Sequence, residues 1–240
     1  MRIIVSLHYS THNFGCGLIV KSNCSFKKQN MKKLLFSIAF VFALSSLSAQ
    51  VIYHRTNNLN VGFGKVTNST TNQFMDFCVN GPLVGTDNAP VGGYVDNGTM
   101  LKTWTNPVDG GGNFAVDNAI FGLGTDGKLY LVPYTEKHTL QQMKWAFQNG
   151  PVLVKNGVNT RGTSQSKYAR SGIGFKADGT LVVIVSLTPV TFYEFADLFI
   201  KEHCSNAIYL DGGPYVGCSD KKTTYGTMVA EATKLQLFNN

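Results

Sequence analysis

Turn chemistry punctuates this chain too often for long helices. "VNGP" (79–82), "DNG" (96–98), "QNGP" (148–151) and "KNG" (155–157) put Asn beside Gly, two residues that tolerate positive φ. Between such points the apolar runs are short. They read as strands at 73–79, 119–123, 128–133, 152–155, 171–175, 180–186, 207–210 and 232–238. "AIFGLGTDGKLYLV" and "SGIGFKADGTLVVIV" share one plan: a strand, a turn ending in Asp-Gly, then a second strand. They are read as similar hairpins from paired halves of one sheet. "GLGTDG" (122–127) fits a dinucleotide-binding spacing, but a strand follows its last glycine where that fingerprint needs a helix.

Two helices are expected. "TLQQMKWAFQ" (139–148) sets Leu140, Met143 and Phe147 on one face. "TFYEFADLFIKEH" (191–203) does the same with Phe192, Phe195, Leu198 and Phe199, and it opens with the Thr-x-x-Glu of a capping box. The expected fold is α+β: one domain, a mixed sheet built of hairpins, with a few helices packed on it.

"MKKLLFSIAFVFALSSLSA" (31–49) has the layout of a secretory signal: two lysines, an apolar stretch too short to span a membrane, then small residues. Residues 1–30 are read as an upstream extension from a misassigned start, and 51–240 as the folded domain. The leader is bacterial in style, so the expected location is secreted or periplasmic. Of the 21 Lys and Arg, six fall in residues 1–50 with no acid among them; the remainder carries 15 bases against 14 acids. The overall +7 therefore belongs to the leader and gives no support to nucleic-acid binding. Nothing after the leader is long and apolar enough to span a membrane. Cys78, Cys204 and Cys218 remain. An exported protein could bridge Cys204 to Cys218 around a short loop, or keep all three as thiols.

Four side chains stand out. Asp211 follows the strand "AIYL" and precedes Gly212 and Gly213, where a carboxylate meets solvent beside a backbone free to turn. Arg170 opens the strand "SGIGF" and has the planar fork that grips phosphate. Glu194 is either the capping carboxylate of its helix or a second catalytic acid. Asn80, before Gly81, is either a turn-former or an amide that bonds a sugar or phosphate oxygen.

Taken in order, "FCVNGPL", "GPVLVKNG", "ARSGIGFKADGTLVVIVS" and "VTFYEFADLFIKEHCSNAIYLDGGPY" resemble the phosphodiester glycosidase family over roughly residues 74–217. The resemblance implies a mixed α/β domain in which Asn80, Gly81, Arg170, Glu194, Asp211, Gly212 and Gly213 face one cleft, and cleavage of a sugar from a carbohydrate phosphodiester. Arg170 would take the leaving phosphate, and Asp211 and Glu194 would be the carboxylate pair of glycoside hydrolysis. No cofactor is implied, although a divalent cation is compatible with the carboxylates. The sequence departs from the family at "GGPY" (212–215), where Pro214 removes a backbone donor, and at "NGPL" (80–83). The rival expectations are a phosphoglycan-binding module that lost turnover, and a phosphodiesterase cutting P–O.

Overall fold

The computed structural model describes residues 3–8, 48–55, 61–64, 75–163, 165–213, 216–220, 223–226 and 234–238. The chain divides into two compact units, residues 1–6 with 50–240, and residues 7–49. The second unit, which holds the expected signal segment, lies almost wholly outside the described residues, and so do Pro214 and Tyr215.

Strands dominate. In chain order they are β1 (Ile3–His8), β2 (Ser48–Arg55), β3 (Val61–Gly64), β4 (Met75–Asn80), β5 (Tyr94–Asp96), β6 (Thr99–Lys102), β7 (Ala119–Gly124), β8 (Leu129–Pro133) and β9 (Met143–Asn149). They continue with β10 (Val152–Lys155), β11 (Val158–Asn159), β12 (Tyr168–Lys176), β13 (Leu181–Val190), β14 (Cys204–Tyr209), β15 (Gly217–Asp220), β16 (Thr224–Gly226) and β17 (Lys234–Phe238). Two single-turn helices, α1 (Pro107–Gly110) and α2 (Gly112–Ala115), precede β7, and α3 (Phe192–Lys201) precedes β14. The helical part of the expected α+β class is thus small. Among the described residues no helix is long and apolar enough to cross a membrane.

The strands form three sheets, ordered β1-β2-β13-β12-β14-β10-β11, β16-β15-β4-β17-β3 and β6-β5-β9-β7-β8. Their inner faces meet in one core. Ile173, Val183 and Ile208 come from the first sheet, Phe77, Val79 and Leu235 from the second, and Phe121, Trp145 and Phe147 from the third. Strand alternation explains how β13 serves two cores. Leu181, Val183 and Val185 face inward, while Val182 and Ile184 face α3. A strand covered on both sides must read as an unbroken apolar run, and "LVVIV" does.

α3 was legible. Thr191 accepts from the Glu194 N–H at 3.0 Å, and the Glu194 carboxylate accepts from the Thr191 N–H at 2.8 Å, so the capping box is complete. The helix buries Phe195, Leu198 and Phe199 against the first sheet, each worth about 1.5–3 kcal/mol of burial. β12 makes room for them. A Cβ on Gly172 would lie 3.1 Å from both Phe195 and Phe199, and one on Gly174 would lie 2.6 Å from the Asn206 carbonyl. The Gly-Ile-Gly spacing is therefore the seat of the helix.

The other expected helix is a strand. Residues 134–139 form a 3₁₀ turn, and β9 begins at Met143. Leu140, Met143 and Phe147 fit a helical stripe, but Met143, Trp145 and Phe147 also fit a period of two. Pairing with β5 and β7 satisfies that second period. The two look-alike hairpins share a turn: Asp126 and Asp178 each accept from the N–H two residues on, and Gly127 and Gly179 have φ +80° and +84°. They lie in the third and first sheets, not in halves of one.

Cys78, Cys204 and Cys218 are free and buried, which corrects the expected Cys204–Cys218 bridge. Cys204 sits in the cluster under α3, and Cys218 sits in the core between the sheets. Cys78 is no substitute partner. Cys218 lies opposite Val79, so Cys78, one residue away, points to the other face. Burial pushes each thiol up to about 12. Native protein comprising residues 51–240 is expected to leave Ellman's reagent unreacted, and to release three thiols in unreduced guanidinium; release of one would show a bridge.

Candidate functional site

β14 runs between β12 and β10 and delivers Asp211 to the ends of two sheets. Backbone bonds fix it on both sides. The Leu210 N–H donates to the Ser171 carbonyl at 2.9 Å, the Gly213 N–H to the Ala169 carbonyl at 3.0 Å, and the Asp211 N–H to the Gly81 carbonyl at 2.8 Å. The Ser171 hydroxyl donates to the Asp211 carbonyl. One carboxylate oxygen accepts from the Gly212 N–H at 2.8 Å. Burial raises the Asp211 carboxyl above the usual Asp range, and the Gly212 N–H opposes that. Both glycines of the turn are required. A Cβ on Gly212 would lie 2.0 Å from the Tyr209 hydroxyl, and Gly213 has φ +88°.

Arg170 is 2% exposed. Its Nε donates to the Val190 carbonyl at 2.8 Å and an Nη to the Ser166 carbonyl at 3.2 Å. Its guanidinium lies 3.6 Å over the Phe192 ring, with Tyr168 and Tyr209 at 5.7 and 5.9 Å. Among the described residues no carboxylate pairs with it. Burial lowers its pKa, and Tyr209 opposes that. The cation is thus held in a box of aromatic faces and carbonyls.

Tyr209 joins the two, and sequence reasoning missed it. Its ring packs edge-on against Phe192, 5.0 Å between centroids. The Arg170 guanidinium lies 5.9 Å from its ring centroid, and the Tyr209 hydroxyl lies against Gly212. Burial raises the phenol; the Arg170 charge opposes this and the Asp211 charge adds to it. One hydroxyl therefore senses both the guanidinium and the carboxylate. The available signal was spacing, since residues two apart on an extended segment share a face.

Asn80 and Gly81 arrive from β4 through the Gly81 carbonyl. Asn149 secures the junction: its amide donates to the Tyr209 carbonyl at 2.6 Å, and its oxygen accepts from the Leu83 N–H at 3.3 Å. Lys234, 1% exposed, lies directly opposite Asn80 on β17, so a buried cation shares that face. Burial of the neighbouring Cys78 thiol is partly offset by that lysine's charge.

Glu194 stands at the first turn of α3, two residues beyond the ring stacked on Arg170. One oxygen caps the helix, and the other meets Lys167 at 3.2 Å. The side chain is 45% exposed. The capping N–H, ahead of Lys167, holds its pKa below the usual Glu range, against partial burial. The structure thus brings Arg170 and Gly212 to Tyr209, with Asp211 and Gly213 on the same turn, and main chain ties Gly81, with Asn80 beside it, to Asp211. Glu194 is at the adjoining helix end, with its carboxylate turned to its own cap and to Lys167. Among the described residues no three His, Cys, Asp or Glu side chains cluster as a metal site.

The Escherichia coli K12 protein YigE is 32% identical over 144 residues, covering 58% of this chain and 56% of YigE. The prophage-derived YomE of Bacillus subtilis 168 is 30% identical over 129 residues, covering 50% of this chain and 17% of YomE. The chain thus spans little more than half of one curated relative and a sixth of the other. Among solved structures, the catalytic domain of zebrafish N-acetylglucosamine-1-phosphodiester α-N-acetylglucosaminidase, auto-inhibited by its pro-peptide, superposes with a TM-score of 0.64. The match covers 80% of this chain and 78% of that one at 16% identity, a likeness of fold. The family model for phosphodiester glycosidase matches residues 72–220, from before β4 to the end of β15, and the chain belongs to that family.

Proposed function

We propose that the protein is an exported hydrolase that cleaves the sugar C1–O bond of a sugar-1-phosphodiester in an envelope or host glycan. The observation that carries this reading is Arg170: a buried guanidinium without a carboxylate among the described residues, beside a tyrosine whose phenol also feels the half-buried Asp211. A buried charge is costly unless something compensates it, and carbonyls and ring faces do so only in part. A phosphate completes the site.

The chemistry follows from the substrate. The leaving group is a phosphate monoester, already acidic, so charge stabilisation matters more than protonation. Arg170 takes the phosphate oxygens as C1–O breaks, in a site where water does not screen the charge. Asp211 faces the oxocarbenium character that builds at C1. The Tyr209 ring beside the guanidinium, with its hydroxyl against Gly212, shapes the space between cation and carboxylate. Glu194 supplies the second carboxylate through the oxygen now held by Lys167. Export rests on the segment at 31–49.

A second reading, a binding module without turnover, is favoured by the engagement of both Glu194 oxygens. Turnover decides between them. Wild type is expected to release reducing sugar from a sugar-1-phosphodiester panel, with label from ¹⁸O-water entering the sugar. Label in the phosphate would mean P–O cleavage, and no release would leave the module.

Asp211→Asn is expected to lose about 10²-fold or more in kcat. It should also be more stable than wild type at neutral pH. A folded-state pKa above the unfolded value gives stability that is full below the unfolded pKa and lost as pH rises through the folded one. Urea unfolding of both proteins at acid and neutral pH checks the sign. The same shift places the acid limb of kcat/KM above the ordinary Asp value of about 3.9.

Glu194→Gln separates its two roles, because Gln still caps a helix. A catalytic carboxylate predicts a kcat loss on the order of 10²-fold with little change in melting temperature. Full activity would leave Glu194 as cap alone.

A further inference from the structure

A second recess lies away from Asp211, between the β5–β6 hairpin and the segment entering β9. It encloses about 290 Å³, at the small end of ligand sites, which run from about 300 to 1,000 Å³. Met100 and Trp104 form one wall, and Leu140 and Met143 the other. Gln141, Gln142 and Lys137 stand at the rim.

The indole is pre-set. Trp104 packs on Gly93, where a Cβ would fall 2.7 Å from the ring. Thr105, the next residue, is locked by three bonds: its N–H to Gln148 at 2.7 Å, its carbonyl from Gln148 at 2.6 Å, and its hydroxyl to the Val91 carbonyl at 3.0 Å. Trp104 is nevertheless only half-buried, and among the described residues its N–H has no acceptor. The side-chain amides of Gln141 and Gln142 likewise have no partner among them and are exposed. Met100, across the recess, is 44% exposed.

Charge narrows the ligand. Lys137 is the lone charged side chain lining the recess, and its ammonium lies 3.8 Å over the Tyr134 ring. No carboxylate is there to hold a cation, and one lysine is poor provision for a polyanion. A fixed aromatic face, thioether and aliphatic walls, and unspent amide and indole donors suit a neutral molecule with C–H faces and many hydroxyls. β9 links this recess to the site. Met143 lines the recess, and Asn149, at the other end of the strand, bonds the Tyr209 carbonyl. Six steps at about 3.3 Å give a run of about 20 Å.

We propose that this recess is a second saccharide site, which holds an uncharged stretch of the same glycan whose phosphodiester reacts at Asp211. The inference rests on the reading of the protein as one that acts on a glycan. Its test does not need turnover. Full-length Asp211→Asn is titrated with uncharged tetrasaccharides (β-1,4-glucosyl, α-1,4-glucosyl and β-1,4-N-acetylglucosaminyl), followed by calorimetry and tryptophan fluorescence. At least one is expected to saturate with a Kd on the order of 1 mM or tighter, uncontested by inorganic phosphate. Trp104→Ala should weaken it about tenfold, and the exposed pair Gln141→Ala/Gln142→Ala about threefold. In the wild-type background the glutamine pair should leave turnover of a small sugar-1-phosphodiester unchanged. No saturation by any of the three up to about 10 mM, or binding that both variants leave intact, overturns the proposal. Failure of turnover alone strikes the catalytic reading and leaves the binding result standing.

Discussion

The hydrogen bond from the Asp211 amide to the Gly81 carbonyl joins the end of β14, in the first sheet, to the end of β4, in the second. The two strands are far apart in sequence and share no ladder. Without such a tie their exits would be two ordinary turns. With it, and with Asn149 clamping Tyr209 to Leu83 beside it, they become one rigid corner. A network of buried, satisfied polar groups specifies a single arrangement, because any other leaves donors and acceptors unpaired in low dielectric. The carboxylate is thus positioned by main chain on several sides, which side-chain packing alone would not achieve.

That corner explains what the sequence could and could not reveal. The α3 capping box is a contact between neighbours three residues apart, so its letters carried it. The Asp-Gly hairpin turns are equally local. β9 reads as a helix because Leu140, Met143 and Phe147 satisfy a period of 3.6, while Met143, Trp145 and Phe147 satisfy one of two. Partners on β5 and β7 settle that choice, and they are supplied by residues 51–53 and 19–30 positions away. The division into three sheets, and the separation of the look-alike hairpins between two of them, are likewise matters of long-range register.

The site shows the same split. Arg170 and Asp211 could be picked out because charge beside a strand end is conspicuous and because their order resembles a family. Tyr209 reads in the sequence as one more aromatic in an apolar strand, and Asn149 as turn chemistry. Their roles come from what they touch across the fold. Cysteine pairing failed for a related reason. Nearness along the chain suggests Cys204 with Cys218, yet they lie on strands of different sheets and in different cores.

The electrostatics of the corner are those of a site completed by its ligand. Burial penalises the charged forms of Arg170 and Asp211 alike: it lowers the pKa of the guanidinium and raises that of the carboxyl. Direct pairing would relieve both, but the guanidinium is bonded to the Val190 and Ser166 carbonyls, and among the described residues no carboxylate pairs with it. The strain of two partly compensated charges is therefore retained in the folded state, as expected where a protein gives up stability for function. On the proposed reading, a phosphodiester would relieve it at both ends. Its oxygens would answer the cation, and the positive character developing at the sugar carbon would answer the acid. The second relief grows as the bond breaks, and an interaction that strengthens toward the transition state is what accelerates a reaction.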